Sequence, residues 1–324
     1  MNDDIVNDIL ADIPANDDTG LAAPHDTELP IAFSAADMRG ITAALNASDA
    51  VPIFLPPRLH GAYASYCLSV LKPAMHNILE TGAQRMFPYA GQLNYLSRWW
   101  THYLRANELI ARVIYALTTP TDVIWLHDFH LCMVPRFLTQ WAARAAPGDS
   151  IRPHCVFFWH SPFPTSEIFR TVPVRDELLG AVLECDVVGF HTYNYARHFL
   201  HSCKRLLGIS FQSQTGGALA LDVHGRDVLV SISHVGVEAN ALDRWMVSPE
   251  AAVTARALAA RHPGKVLFAG IDTCQRLSGV ALKLLAFERL LEDNPIYRRT
   301  VVLVQWIEMK AQVRRSCGPS SECI

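Results

Sequence analysis

Polar side chains follow three short apolar segments of the chain, and their types suit the binding of a polyol or sugar phosphate. His127 and Asp128 follow the first segment, His160 follows the second, and His191 follows the third. Imidazole and carboxylate groups form hydrogen bonds with hydroxyl groups. Arg170, ten residues beyond His160, belongs to a residue type that can hold a phosphate through two parallel bonds. Together these residues indicate a polar, partly cationic site.

Each of these side chains also has a purely structural interpretation. His127 or His191 taken alone is typical of a hydrogen-bonded packing residue. The spacing of His127 and His130 is compatible with zinc ligands, but no third ligand follows at a suitable spacing, so we predict no metal site. Arg175 and Asp176 suit a structural ion pair as well as a ligand contact. The two interpretations stay open at this point.

The elements that position these residues form a parallel α/β pattern. The apolar segments are four to five residues long and alternate with amphipathic stretches, which is typical of βαβ units. The carboxyl ends of parallel strands meet at one edge of a sheet, where open sheets bind ligands. The predicted strands cover residues 123–126, 155–159, 187–190 and 228–232, and the helices between the first three cover residues 133–145 and 175–184.

Helix start and stop signals extend this prediction in both directions. Ser34 and Asp37 form a capping-box pattern for a helix that runs to about Leu45. Ser248, Pro249 and Glu250 mark another helix start, which is matched by a stop at residues 261–264. A second βαβ unit is predicted from strands at 265–271 and 300–305 around a helix at 280–292. A long helix at 94–117 has one apolar face, formed by Leu96, Trp100, Leu104, Ile110 and Ile114.

The composition excludes several classes of protein. Hydrophobic residues make up 50% of the 324 residues and charged residues 18%, which excludes a disordered chain or a solvated coiled coil. No apolar run is long enough for a membrane span. The net charge of −3 gives no reason to expect nucleic-acid binding. Eight scattered cysteines without a Cys-x-x-Cys pair indicate reduced thiols in a cytoplasmic protein.

The charge distribution separates an N-terminal segment from the remainder. The first 30 residues carry eight carboxylates and no Lys or Arg, which leaves the rest of the chain net positive. We expect a disordered acidic leader at residues 1–30, with a short docking helix around Ile5–Leu10 as the alternative. The predicted domains are an N-terminal Rossmann-like domain at 31–262 and the start of a second such domain at 263–305. Residues 306–324 lose all periodicity and are predicted to form an irregular tail.

Several of these segments carry a specific resemblance to a known family. The sequences IWLHDFHLCMVPRFL (124–138), FFWHSPFPTSEIFRTVPVRDELL (157–179) and VVGFHTYNYARHFLHSCKRLLG (187–208) closely resemble trehalose-6-phosphate synthases of glycosyltransferase family 20. Residues 268–295 continue the match, which runs at lower similarity from about Val51 to Gln305. The HSPFP variant and residues 225–242 are most similar to the plant-type class II branch, many members of which are thought to be non-catalytic.

The resemblance implies a GT-B fold, in which two Rossmann-like domains face each other across a cleft. The domain at 31–262 would then be the acceptor domain, and residues 263–305 would be the truncated start of the nucleotide-sugar domain. It also implies glucosyl transfer from UDP-glucose to glucose 6-phosphate with retention of configuration, without a metal or other cofactor. Carried over by motif, Asp128 would bind the acceptor sugar and His160 would lie at the reacting centre, touching the donor glucose. Trp100 would line the acceptor pocket.

The sequence departs from the family pattern at functional positions. Asn77 stands where the family has a tyrosine that touches the acceptor phosphate. Thr273 and Ser278 replace the arginine and lysine that hold the donor diphosphate, with Arg276 nearby. The N-terminal strand and glycine-containing loop of the family, and its later donor-binding residues, have no counterpart, so we interpret the chain as truncated at both ends.

These departures define the expected activity. Loss of one charge-stabilising group typically lowers the rate by about 10²–10³, so we expect weak or no transferase activity and weak use of UDP-glucose. Two alternatives stay open. One is a non-catalytic regulatory module that binds a sugar phosphate or pairs with a full-length synthase subunit. The other is a fragment without an independent role.

Overall fold

The computed structural model describes residues 33–78, 93–144, 152, 154–214, 218–274 and 278–308. The predicted leader, Arg276 and residues 309–324 lie outside this part of the chain. The chain divides into two compact units between Val235 and Gly236. The sequence placed a domain boundary between residues 262 and 263, whereas residues 236–262 pack with the second unit. The functions assigned to the two domains stay predictions.

A six-stranded sheet organises the first unit. Its strands are β1 (Val123–His127), β2 (His154–Trp159), β3 (Val187–Phe190), β4 (Phe211–Ser213), β5 (Leu219–Val223) and β6 (Arg226–Ile232). The order across the sheet is β1-β2-β3-β6-β5-β4. β1, β2, β3 and β6 run parallel, as predicted, and their bounds contain all four predicted strands. The carboxyl ends of these four strands therefore meet at one edge.

The other two strands were not predicted from the sequence. β4 and β5 pair antiparallel and place a hairpin before β6. The turn between β5 and β6 consists of His224 and Gly225, which both have positive φ angles, as a tight hairpin turn requires. The sequences of β4 and β5 carry no strong strand signal, because β4 is only three residues long and β5 contains the polar Asp222.

Helices make up most of the other described residues of the first unit. They are α1 (Ala35–Asn46), α2 (Pro57–Tyr66), α3 (Lys72–Met75), α4 (Leu93–Leu117), α5 (Val134–Arg144), α6 (Ser166–Phe169), α7 (Arg175–Val182) and α8 (Tyr193–Ser202). A π-helical turn, Cys67–Leu71, joins α2 to α3. The predicted capping box of α1 is confirmed, because the backbone N–H of Asp37 donates to Ser34 Oγ and the Ser34 N–H donates to the Asp37 carboxylate.

The long helix α4 has a different buried face from the one predicted. Trp100 and Leu104, on the predicted stripe, are only half-buried, whereas Tyr103, Ala106 and Leu109 are fully buried. Two contacts explain the difference, since α4 packs against α2 on one side and against α5 on the other. The buried surface is therefore wider than one stripe and is centred on Tyr103.

The amino ends of β2 and β3 hold two buried thiols side by side. The sulfur atoms of Cys155 and Cys185 lie 3.3 Å apart, and neither is in a disulfide. Burial raises the pKa of the Cys185 thiol well above its ordinary value. The Asp186 carboxylate accepts a hydrogen bond from the Cys155 backbone N–H, which fixes the two strand starts against each other.

The second unit consists of α9 (Ala239–Met246), α10 (Pro249–Arg261), β7 (Val266–Thr273), α11 (Val280–Asp293) and β8 (Val301–Glu308). β7 and β8 form a two-stranded parallel sheet, as the second βαβ pattern predicts. Ser248 caps α10 by accepting a hydrogen bond from the Ala251 N–H. β8 continues to Glu308, so Trp306 lies in a strand rather than in the predicted tail. No described residue of this unit is fully buried.

Candidate functional site

Four histidines lie in a row along the carboxyl edge of the parallel strands. We name them the histidine row: His127 ends β1, His160 follows β2, His191 follows β3 and His234 lies two residues beyond β6. Successive ring centroids are 5.0, 5.4 and 6.5 Å apart. The sheet topology therefore brings together the three histidines predicted from the sequence.

A direct hydrogen bond joins the first two rings of this row. Nε2 of His160 lies 2.9 Å from Nδ1 of His127. Trp125 stacks on the other side of the His127 ring at 5.5 Å. Phe158, from β2, contacts both the His160 and His191 rings at centroid distances of 4.9 and 5.0 Å. The row therefore rests on aromatic side chains and has one internal polar contact.

A glycine makes room for this aromatic support. A Cβ atom at Gly189 would lie 2.5 Å from the Phe158 ring, which is closer than carbon atoms can approach. Phe158 and Gly189 are register partners on β2 and β3. Substitution of this glycine would force the Phe158 ring away from the two histidines that it contacts.

Asp128 adopts a backbone conformation that only glycine readily adopts. Its φ and ψ angles are 65° and 173°, and a residue with a side chain pays about 1–3 kcal/mol in this region. Both carboxylate oxygens accept hydrogen bonds from Ser161, one from the backbone N–H at 3.2 Å and one from Oγ at 2.8 Å. The Asp128 N–H donates to the Phe158 carbonyl. The carboxylate is thus held between the ends of β1 and β2, despite the cost to the backbone.

Two buried side chains of α4 hold the loop that follows Asp128. The Tyr103 hydroxyl donates to the Phe129 carbonyl at 2.6 Å and accepts from the Cys132 N–H at 3.2 Å. The Asn107 amide donates to the His130 carbonyl at 3.1 Å. These contacts, together with a bond from the Tyr63 hydroxyl to the same His130 carbonyl, satisfy backbone groups of the loop. The position of Asp128 therefore depends on α4 as well as on the sheet.

Trp100 lies in the aromatic cluster next to this loop. Its indole stacks on the Tyr103 ring at 5.5 Å and an interplanar angle of 18°, and it contacts Tyr66 at 5.6 Å. The side chain is half-buried, so part of the indole faces outward. The neighbouring Trp99 is buried. Trp100 therefore packs within this aromatic cluster, and its role in lining a ligand pocket stays a prediction.

The electrostatic surroundings favour neutral imidazoles. Partial desolvation lowers the pKa of His160, and the adjacent His127 and His191 rings lower it further, against an opposing effect of Asp128. Burial also lowers the pKa of His130, and Lys72 adds to this effect. At neutral pH these two side chains therefore act as neutral hydrogen-bonding groups rather than as fixed cations.

The predicted cations lie away from the hydrogen bonds of this site. Nε of Arg175 is 3.6 Å from the Asp176 carboxylate, in agreement with the ion-pair interpretation. Arg170 is exposed on the segment after α6.

Asn77, where the family has a tyrosine, is exposed at the end of α3 with a φ of 55°. In the second unit, the side chains of Lys283 and Gln305 hold the Asp272 carboxylate.

Sequence reasoning missed His234, the partner role of Ser161 and the contributions of Tyr103 and Asn107. A signal for His234 existed, because it follows the predicted strand at 228–232 as His191 follows its own strand. Ser161 adjoins His160 in the chain, but its contact with Asp128 depends on register. The roles of the two α4 side chains arise from tertiary packing, and no local pattern reports them.

No helix within the described ranges is long and apolar enough to cross a membrane. Nor do the described His, Cys, Asp and Glu side chains include a group of three or more that could hold a metal ion.

Comparisons with known proteins are consistent along most of the chain. The profile of glycosyltransferase family 20 matches residues 32–318. Two similar proteins are from Arabidopsis thaliana: probable alpha,alpha-trehalose-phosphate synthase [UDP-forming] 9, 38% identical over 259 residues, and alpha,alpha-trehalose-phosphate synthase [UDP-forming] 5, 38% identical over 257 residues. Each alignment covers 79% of this chain and 28% of the relative. The chain thus spans between a quarter and a third of their length.

Solved structures give the same result for the fold. The N-terminal domain of Candida albicans trehalose-6-phosphate phosphatase matches with a TM-score of 0.69 and 26% identity, over 87% of this chain and 57% of that one. The alpha,alpha-trehalose 6-phosphate synthase of Burkholderia multivorans matches with a TM-score of 0.62 and 27% identity, over 79% and 51%. The Burkholderia xenovorans synthase in complex with glucose-6-phosphate matches at 0.65 and 24%, over 78% and 52%. These matches confirm the predicted α/β fold of GT-B type.

Proposed function

Because this chain belongs to glycosyltransferase family 20, we propose that its first unit binds a sugar phosphate, glucose 6-phosphate, at the carboxyl edge of the sheet. The chain is trehalose-phosphate synthase-like. As an isolated chain it transfers glucose from UDP-glucose weakly or not at all. We place its activity in the cytoplasm, following the cysteine usage.

The conformation of Asp128 carries this proposal. A carboxylate is retained at a position where glycine would be free of backbone strain, and such strain is concentrated at functional sites. Ser161 engages the carboxylate, while its remaining lone pairs can accept hydrogen bonds from sugar hydroxyls. The histidine row next to Asp128 supplies ring nitrogens of the kind that can hydrogen-bond the hydroxyls of a polyol.

Roles follow for the three predicted site residues. Asp128 binds hydroxyls of the acceptor sugar, and Trp100 lines the pocket with the part of its indole that Tyr66 and Tyr103 leave uncovered. His160 lies at the reacting centre, where it hydrogen-bonds a donor hydroxyl. In the transfer, an acceptor hydroxyl attacks the anomeric carbon of the donor glucose while UDP leaves. Its proton passes to the leaving diphosphate.

The donor side is the weak part of this machinery. Thr273 ends β7 and Ser278 follows it. Two neutral side chains therefore stand where the resemblance leads us to expect an arginine and a lysine around the diphosphate. Each missing cation lowers the rate by about 10²–10³. A binding module without turnover, acting alone or beside a full-length synthase subunit, is therefore the second candidate. The neutral residues at 273 and 278 favour it.

A binding measurement tests the proposal directly. We expect glucose 6-phosphate at millimolar concentration to raise the melting temperature, because a ligand that binds only the native state stabilises it. Asp128→Asn should abolish the shift. Asp243→Asn, a change of the same chemistry on the exposed face of α9, should leave it intact. No shift with the wild-type chain would overturn the proposed function, and an unchanged shift in Asp128→Asn would overturn the role of Asp128.

A turnover measurement separates the two candidates. Purified chain is given UDP-glucose and glucose 6-phosphate, and UDP release is followed while near-UV circular dichroism reports on folding. Release above background that disappears in His160→Ala would establish a weak synthase. Binding of glucose 6-phosphate without UDP release from a folded chain would establish the binding module.

A further inference from the structure

The contact between His127 and His160 determines more than the packing of two rings. The 2.9 Å separation of His160 Nε2 and His127 Nδ1 is a hydrogen bond. One of the two nitrogens therefore carries the proton and donates the bond, and the other accepts the bond with its lone pair. A neutral imidazole has only one N–H. The tautomer of each ring therefore fixes the tautomer of the other.

Only two arrangements satisfy this bond when both rings are neutral. In the first, His160 Nε2–H donates to His127 Nδ1, and both rings are in the Nε2–H form. In the second, His127 Nδ1–H donates to His160 Nε2, and both rings are in the Nδ1–H form. The Nε2–H form is the more stable tautomer of a free neutral histidine side chain, and the first arrangement uses it twice.

We propose that His127 is a positioning residue that holds His160 in the Nε2–H tautomer, so that Nδ1 of His160 is an unprotonated acceptor for a hydroxyl of the bound donor glucose. This role for His127 rests on the proposed function. It assigns to the β1 histidine a task that the residue types alone left open between packing and ligand contact. No other described residue hydrogen-bonds the His160 ring.

The other charged and titratable neighbours are compatible with this assignment. Asp128 faces His160 from the end of β1, and His191 faces it from the end of β3. The largest effect on His160 is desolvation, which together with the two neighbouring imidazoles lowers its pKa. The neutral form, in which tautomers exist, is therefore the main form at neutral pH.

The test is a long-range proton–nitrogen NMR spectrum of the imidazoles in the ligand-free chain at pH 7.5. The signals of His160 are assigned by their loss in His160→Gln. We expect wild-type His160 to show a protonated Nε2 and a lone pair on Nδ1. His127→Phe keeps an aromatic ring but removes the acceptor, and it should give a mixture of the two His160 tautomers.

His127→Asn serves as the conservative variant. Its side-chain oxygen can take the place of Nδ1 as an acceptor, and the intrinsic preference of His160 for the Nε2–H form selects this oxygen over the NH2 group of the amide. The variant should restore the single Nε2–H form. His224→Asn changes an exposed histidine in the turn between β5 and β6 and should leave the His160 signals unchanged. A purely structural role for His127 would not produce this pattern of loss and restoration.

Ligand affinity provides the second readout. His127→Phe should weaken UDP-glucose binding about five- to tenfold, the effect of losing one well-placed hydrogen bond, and His127→Asn should recover most of it, while glucose 6-phosphate binding through Asp128 should stay unchanged in both variants. A wild-type His160 in the Nδ1–H form, or one tautomer shared by the wild type and His127→Phe, would overturn the inference. If His127→Phe fails to fold, His127→Ala removes the same acceptor with a smaller side chain and should give the same mixture of tautomers. Correct tautomers without any sugar-phosphate binding would instead overturn the proposed function.

Discussion

The two units contain the same local pattern, a parallel pair of strands joined by a helix, but they differ in what covers it. Phe157, Val188 and Phe190 of the first sheet are fully buried. In the two-stranded sheet of the second unit, Phe268 is 44% exposed and Ile271 is 82% exposed. Parallel sheets normally have both faces covered. The comparison shows that local sequence signals produce the same βαβ pattern in both units, whereas the burial of its side chains differs between them.

The largest test of this difference replaces one strand phenylalanine in each unit. Phe157→Ala in β2 should cost about 3–5 kcal/mol, because it empties a filled core position. Phe268→Ala in β7 should cost under about 2 kcal/mol, because much of that side chain is already in contact with water. Hydrogen exchange measured separately for peptides of each unit would report both values. Equal losses of protection would contradict the comparison.

Asp128 offers a smaller test within the first unit. Asp128→Gly and Asp128→Ala both remove the carboxylate and its bonds to Ser161, but only glycine adopts the observed backbone angles without strain. We expect the glycine variant to be more stable than the alanine variant by about 1–3 kcal/mol. Denaturant unfolding of both variants, monitored through a spectroscopic signal that comes from the first unit, measures the difference in their free energies of unfolding. Equal stabilities would mean that the backbone relaxes in the alanine variant.

Helix capping should not distinguish the two units. Ser34 in the first unit and Ser248 in the second cap their helices through side-chain oxygens at 3.1 and 3.2 Å from backbone nitrogens. Replacement of either by alanine should therefore cost about 1 kcal/mol in local protection. Exchange of the N-terminal amides of α1 and α10 gives the two values. A much larger effect for Ser248 would show that the second unit depends on its caps more than the first.

The smallest expected effect is a difference in pH dependence. The pKa values of His130 and His160 are lowered in the folded first unit, so the unfolded chain binds protons more readily. Their contribution to stability is present above about pH 6.5 and is lost as the pH falls below that ordinary value. The second unit contains one histidine, His262. Exchange at pH 7.5 and 5.5 should show a greater loss of protection in the first unit, and the double variant His130→Asn, His160→Asn should reduce that loss.

The sequence predicted the elements better than the site. Strands such as Val187–Phe190 and the start of α10 at Ser248-Pro249 followed from apolar runs and capping residues, which act within a few positions of the chain. The convergence of His127, His160 and His191 followed from parallel topology. The hairpin of β4 and β5 was not predicted from the sequence, because it depends on pairing with β6. The α4 contacts with the loop after Asp128 also depend on tertiary packing, which the period of α4 does not encode.

The adjacent thiols of Cys155 and Cys185 have a consequence for handling the protein. Their sulfur atoms lie within about 1.3 Å of disulfide bonding distance, yet both are buried. A buried thiol reacts slowly, because the reactive form is the thiolate. Unfolding removes that protection and releases two nucleophiles that can pair with each other or with other cysteines of the chain. Refolding should therefore be reversible under reducing conditions, whereas under oxidising conditions the yield of refolded protein should fall. The rate of thiol labelling at these two positions would report the rate of unfolding.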